Sequence, residues 1–307
     1  MTGDIANGTH TARVPIENIG LQIFTVRDLI APEVLDLEGT FELLHDAGYR
    51  GVELAGDYYG RSPGAVRHLA ESNGLTVWGN HFGPRTMVKN SWYDANERSR
   101  IFDEAHQLGL CQVGTGHSYV APLTVDGYKE MAAAFNSWGE EAQENGFEYF
   151  YFHNHDHEFT LVNGRPLFDV LLAETDPRYV RFEVDLGWLM ASGQSATEYL
   201  RAYQDRLPLL HVKDYRYEEG GARTVKAGTV AAGRKFNFTD LGKGSVDWVA
   251  VLSVLRDPRA HRFIVEQDDA PFSTERAARS ERQLNPAGSA NTAWRGRRFL
   301  AELELEV

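Results

Sequence analysis

The chain has 307 residues, with 31 Lys and Arg against 44 Asp and Glu, a formal net charge of −13. So acidic a surface repels phosphate backbones and anionic lipid, which argues against nucleic acid and membranes as partners. Hydrophobic residues at 42%, with 16 Phe, 13 Tyr and 6 Trp, supply a large core and exclude a mostly disordered chain.

Residues 1–17 are polar, are broken by Gly and Pro, and lack the apolar stretch of a signal peptide. They read as a flexible N-terminal segment ahead of one catalytic domain spanning 18–307. Strands follow at 19–24 (IGLQIF), 51–54 (GVEL), 75–81 (LTVWGNH), 111–114 (CQVG), 148–154 (EYFYFHN), 180–185 (VRFEVD), 208–213 (PLLHVK) and 262–267 (RFIVEQ). Helices are expected at 35–47, 63–73, 93–108, 126–145, 166–174, 195–205, 246–255 and 274–302. Ser62 before Pro63, and Thr124, serve as N-caps. Eight strand-then-helix units point to an α/β fold, a closed (β/α)8 TIM barrel. The first strand runs into TVRDLIAPE, without the glycines of a dinucleotide-binding loop. Residues 214–244 form a long Gly-rich connection after strand seven, expected to be a lid or an interface. Cys111 is the only cysteine, so no intrachain disulfide is possible, and no run approaches the ~20 apolar residues of a bilayer span. A cytoplasmic location is expected by elimination.

Active sites of such barrels lie at the C-terminal ends of the strands. There the sequence offers Gln22, Glu53, His81, His153, His155, Asp185, His211, Lys213, Asp214, Glu266 and Asp268. Side chains alternate along a strand, so His153 shares a face with His155, Glu183 with Asp185, His211 with Lys213, and Glu266 with Asp268. His153, Asp185, His211 and Glu266 make a set of two imidazoles and two carboxylates, suited to one divalent cation. Taken singly, each has a plainer role: a hydrogen-bonded histidine, a helix-capping Asp185, an ion-paired Glu266. Trp188, Trp78 and Phe82 are candidate apolar walls for a sugar, with core packing the alternative for each.

The motifs GLQIFTVRD (20–28), GYRGVEL (48–54), FHNHDHEF (152–159), FEVDLGW (182–188), LLHVKD (209–214), GKGSVDW (242–248) and FIVEQDD (263–269) carry a resemblance. The chain resembles the xylose-isomerase-like barrels of the sugar phosphate isomerase/epimerase family over about residues 18–302. The resemblance implies one divalent metal, Mn2+ first and Co2+, Mg2+, Zn2+ or Fe2+ as alternatives, on His153, Asp185, His211 and Glu266. Epimerases of this superfamily usually carry Glu where this chain has His153, so a symmetric two-glutamate proton exchange is not expected. His155 is the substitute ligand if the register is displaced by one pleat.

The implied chemistry is proton abstraction beside the carbonyl of a sugar or keto-sugar. Glu266, His155, Lys213 and Glu158 are the candidate catalytic groups, and burial beside a cation should lower the pKa of Lys213. Glu53, His81, Trp188, Asp214 and Gln22 are the candidate substrate contacts. Isomerisation or epimerisation is the first reading. A β-eliminating lyase, either a dehydratase or a 3-keto-glycoside eliminase, is the close alternative, and a non-catalytic sugar-binding subunit the alternative of another class. Some barrels of this superfamily are DNA-repair endonucleases, which the acidic charge disfavours. A homo-oligomer or a partner subunit is also compatible with the sequence.

Overall fold

Alternation along each strand splits its residues into two sets, and that split builds the barrel. The computed structural model describes residues 11–32, 34–83, 95–116, 122–271 and 288–306. Eight parallel strands form the main sheet: β2 (Ile19–Gln22), β3 (Gly51–Leu54), β4 (Thr76–Asn80), β5 (Val113–Thr115), β6 (Phe150–His153), β9 (Val180–Asp185), β10 (Leu209–Val212) and β14 (Arg262–Val265), in the order β4-β3-β2-β14-β10-β9-β6-β5. The two ends meet where the Phe82 N–H donates to Gly114 O at 3.2 Å and Gln112 Nε2 donates to Trp78 O at 2.5 Å. This is the (β/α)8 barrel that the strand count predicts.

Outward-facing Leu21, Val52, Phe152, Phe182, Val184, Leu210 and Phe263 are buried in the main core, which the surrounding helices share. Inward, Trp78, Tyr151, Leu209 and Ile264 form a separate apolar plug. Glycine makes room for it: a Cβ on Gly51 would lie 2.0 Å from the Trp78 ring, and one on Gly114 2.4 Å from Tyr151. Trp78 therefore belongs to the barrel floor and Phe82 to the main core, and neither is a sugar-facing wall.

The helices are α1 (Asp36–Asp46), α2 (Pro63–Ser72), α3 (Ala95–Leu108), α4 (Val125–Glu144), α5 (Leu167–Glu174), α6 (Leu186–Ala191), α7 (Ala196–Tyr203), α8 (Trp248–Leu252) and α9 (Ser289–Glu302). Ser62 and Thr124 cap α2 and α4 as expected, accepting from Ala65 N and Gly127 N. Residues 93–94 and 274–287 of the expected helices, and 1–10 of the expected flexible segment, lie outside the described residues. No described helix is long and apolar enough to cross a membrane.

Three parts differ from the sequence reading. Thr11–Arg13, placed in the flexible segment, forms β1 and pairs antiparallel with β15 (Glu304–Glu306). The short α6 was not expected; it starts because Asp185 Oδ1 accepts from the Trp188 N–H at 2.8 Å. The 214–244 connection is folded: β11 (Asp214–Tyr217), β13 (Lys235–Thr239) and β12 (Arg223–Thr224) make an antiparallel sheet. That sheet packs through Tyr215, Phe236 and Phe238 on Trp188, and Arg223 pairs with Asp269 at 2.7 Å. A two-rung hairpin, β7 (Leu161–Val162) with β8 (Arg165–Pro166), completes the elements.

Candidate metal centre and active site

Above the apolar plug, the inward positions change from hydrocarbon to charge. One ligand atom from each of His153, Asp185, His211 and Glu266 can be chosen so that all four lie within 4.8 Å of one another, and all four residues are buried. Donors that bind one ion at about 2.0–2.2 Å cannot be much farther apart than this. The structure thus brings together the four residues that the strand-end reading selected, and it brings in His153 rather than His155. With two carboxylates and two imidazoles, they fit a divalent cation.

The local sequence sets each of them. His211 lies opposite Asp185 in the β9–β10 ladder, which brings imidazole and carboxylate to the same height. The Asn154 side chain clamps Asp185, its Oδ1 accepting from Asp185 N at 3.0 Å and its Nδ2 donating to Asp185 O at 3.3 Å. Asp185 caps α6 through Oδ1, one of its two expected roles, while Oδ2 faces the imidazoles, 3.9 Å from His153 Nε2 and 4.0 Å from His211 Nδ1.

Lys213 is the cation of the site. Its Nζ lies 2.8 Å from Asp185 Oδ2, 2.7 Å from Glu266 Oε2 and 2.9 Å from Asp268 Oδ2. Burial opposes its charge, but Asp185, Asp268 and Glu266 outweigh that and hold the ammonium well above the ordinary lysine range. Three carboxylates surround the amine and act in the direction opposite to the burial and bound cation that were expected to lower its pKa.

A second layer lies beneath; the sequence reading gave its Glu53, His81 and Gln22 to the substrate and gave Glu183 no role. Glu183 Oε2 accepts from His81 Nε2 at 2.7 Å and from His153 Nδ1 at 3.1 Å. Glu53 Oε2 accepts from Gln22 Nε2 at 2.8 Å and lies 2.7 Å from His211 Nε2. Burial resists ionisation of Glu53, yet His81 and His211 hold it well below the usual carboxylate range. Burial and the charge of Glu53 raise Glu183. Burial likewise works against a charge on His81, but Glu53 and Glu183 raise its pKa to about 10. Glu183 was findable from sequence, because it shares a strand face with Asp185.

The open mouth is a cleft of about 370 Å³ lined by residues including Gln22, Phe24, His81, His155, His157, Trp188, Glu266 and Asp268. Of the expected substrate contacts, Gln22, His81 and Trp188 reach it. Glu53 does not; it is committed to His211 and Gln22. Asp214 is corrected outright. It is buried, and its carboxylate accepts from the N–H groups of Tyr215, Gly242, Gly244 and Val246 and from Trp248 Nε1, so it organises the chain after β13. Glu158 also turns inward, accepting from the His155 N–H at 2.7 Å and pairing with His157 at 2.8 Å. Two imidazoles on the cleft differ in charge. Burial pushes His155 down to about 3, whereas for His157 burial is overridden by Asp156 and Glu158, which raise it to about 9.

Comparison with known proteins agrees with this geometry. The sequence profile of the xylose isomerase-like TIM barrel matches residues 41–285. The chain is 32% identical over 263 residues to inosose dehydratase of Clostridium perfringens, covering 77% of this chain and 86% of that protein. It is 28% identical over 278 residues to inosose dehydratase of Lacticaseibacillus casei, covering 82% and 91%. The crystal structure of a sugar phosphate isomerase/epimerase from Parabacteroides distasonis superposes with a TM-score of 0.68 at 18% identity, covering 97% of this chain and 96% of that one. That likeness concerns the fold alone. By profile, barrel topology and strand-end residues, this chain belongs to the xylose isomerase-like TIM barrel family.

Proposed function

We propose that the protein is a metal-dependent lyase acting on a ring-shaped keto-polyol of the inosose type. It would remove water by taking a proton from the carbon beside the ketone and expelling the β-hydroxyl. The observation that carries the reading is the buried convergence of His153, Asp185, His211 and Glu266 beneath a cleft that holds separate proton-accepting and proton-donating groups. The dehydratase names of the relatives favour elimination over the isomerase reading.

A divalent ion held by these four residues, with Mn2+ the first candidate, would supply Lewis acidity toward a ketone oxygen. His155 is the proton acceptor: of the expected bases, Lys213 is held charged, Glu158 is turned away and Glu266 is a ligand. Burial keeps His155 neutral and weakly basic, so proton removal depends on the acidity that a polarised ketone confers on its neighbouring carbon. His157, held protonated, delivers the proton that lets hydroxide leave as water. The C–H and C–O bonds break, a C=C bond forms, and one water departs. Trp188 supplies an apolar wall for the C–H face of the ring.

The test is incubation of the Mn2+-loaded protein with an inosose in deuterated water. The expected product is an unsaturated ketone that absorbs in the near ultraviolet. Deuterium incorporation with a configurational change and no unsaturated product would instead identify an epimerase.

A further inference from the structure

Two of the four metal-facing residues, His153 and His211, stand on buried carboxylates. Glu183 and Glu53 are 0% and 1% exposed, and His81 bridges them, its Nε2 2.7 Å from Glu183 Oε2 and 3.3 Å from Glu53 Oε2. Two ionisable carboxylates placed this close together in an apolar barrel repel one another and are costly to bury. The fold nevertheless makes room for them. A Cβ on Gly79 would lie 2.7 Å from Glu53 Oε1, and one on Gly116 would lie 3.2 Å from His81 Nδ1. In each carboxylate the second oxygen, Oε1, is buried without a hydrogen-bond partner among the described residues.

Their geometry assigns them a task. A carboxylate only accepts, so the 3.1 Å contact from His153 Nδ1 to Glu183 requires the His153 proton on Nδ1. That leaves the lone pair on Nε2, the atom facing Asp185. His211 meets a carboxylate at each ring nitrogen, Nε2 at 2.7 Å from Glu53 and Nδ1 at 2.9 Å from Glu266, so in the metal-free site both nitrogens donate. An ion on Nδ1, the atom facing Glu266 at 2.9 Å and Asp185 at 4.0 Å, would displace that proton and leave the other on Nε2, toward Glu53. The two histidines thus present opposite ring nitrogens to the same seat, and each is held in that tautomer by its own glutamate.

We infer that Glu183 and Glu53 are positioning residues that fix the tautomers of His153 and His211, and through them the affinity of the metal seat. Carboxylates behind ligating imidazoles orient the ring and raise its basicity, and losing one typically costs 10–100-fold in metal affinity. The inference rests on the metal-centre reading and adds which residues set its strength.

The experiment titrates Mn2+ into wild type, Glu183→Gln and Glu53→Gln, reading free Mn2+ by electron paramagnetic resonance, with thermal unfolding of each metal-free protein. Both variants should bind on the order of 10-fold more weakly or worse. Metal-free Glu183→Gln loses a buried charge partner of His81, so a lowered melting temperature fits either reading of Glu183 and the metal affinity is the deciding readout. A merely structural Glu183 predicts unchanged affinity, and this result overturns the inference. If a variant does not fold, nitrogen-15 spectra of the Zn2+-loaded wild type decide the matter. His153 must carry its proton on Nδ1 and His211 on Nε2; either opposite tautomer overturns the inference. Wild type that takes up no metal would sink the metal-centre reading itself, a result distinct from wild type and variants binding alike.

Discussion

His211 and Asp185 are ladder partners on adjacent strands, and across that rung Nδ1 and Oδ2 stand 4.0 Å apart. Both side chains are fully buried, so the separation is a property of the barrel register and not of flexible surface groups. The registers of β9 and β10 thus place half of the ligand set before any ion arrives.

His211→Asn removes an imidazole while keeping a polar side chain of smaller size. One of four donors is lost, and Glu53 and Glu266 each lose a partner. Purified variant dialysed against metal-free buffer should retain less than a tenth of the wild-type metal, and activity should fall with it. Full metal content in the variant, measured by elemental analysis, would move the seat away from this histidine.

Removing the ion should also be visible in stability. A ligand at 100 times its Kd adds about 2.7 kcal/mol to the folded state. For a chain of this size that corresponds to a melting shift of roughly 5 °C. Calorimetry with and without a chelator measures it. An unchanged midpoint would mean that the four residues bind no ion under those conditions.

Lys213 makes a sharper case. Its ammonium lies within 2.9 Å of three carboxylates, all at least mostly buried. Lys213→Met removes the cation and leaves Asp185, Glu266 and Asp268 to repel one another. Breaking a buried ion pair costs about 3–5 kcal/mol. A bound divalent ion restores part of the lost positive charge, so added Mn2+ should raise the melting temperature of the variant more than that of wild type. Equal shifts in the two proteins would show that the lysine and the ion do not share these carboxylates.

The barrel and four of its strand-end residues were legible because they follow from period-two alternation and strand count alone. His153, Asp185, His211 and Glu266 lie on strand ends that read as strands, and alternation puts them on one face. What sequence could not supply is competition between neighbours. Glu53 and Asp214 look like substrate contacts until the structure shows both buried, one Glu53 oxygen held by His211 and the Asp214 carboxylate held by the 242–248 backbone. Lys213 looks like a base until three carboxylates from two other strands surround it. The folded sheet of 214–239 was missed because Gly220, Gly221, Gly228 and Gly233 make the segment read as a loop, although DYRY (214–217) and KFNFT (235–239) each alternate with period two. Its order comes from tertiary contact, with Phe236 and Phe238 packed on Trp188.

Asp214 separates a structural role from a substrate-binding one. Its Oδ2 accepts from Gly242 N at 3.0 Å, Gly244 N at 3.2 Å and Trp248 Nε1 at 3.1 Å, and its Oδ1 from Tyr215 N at 2.9 Å. Gly244 is there because the acid comes so close that a Cβ would lie 1.9 Å from Oδ1. Asp214→Asn keeps one acceptor oxygen but aims an NH2 group at backbone and indole donors. Each buried donor left unsatisfied costs about 1–3 kcal/mol, so the variant should lose roughly 2–4 kcal/mol in denaturant unfolding. Metal affinity should stay within twofold of wild type, because Asp214 touches none of the four ligands. A raised KM at unchanged stability would instead return Asp214 to the substrate, and would mean that the 242–248 segment swings away from it when substrate binds.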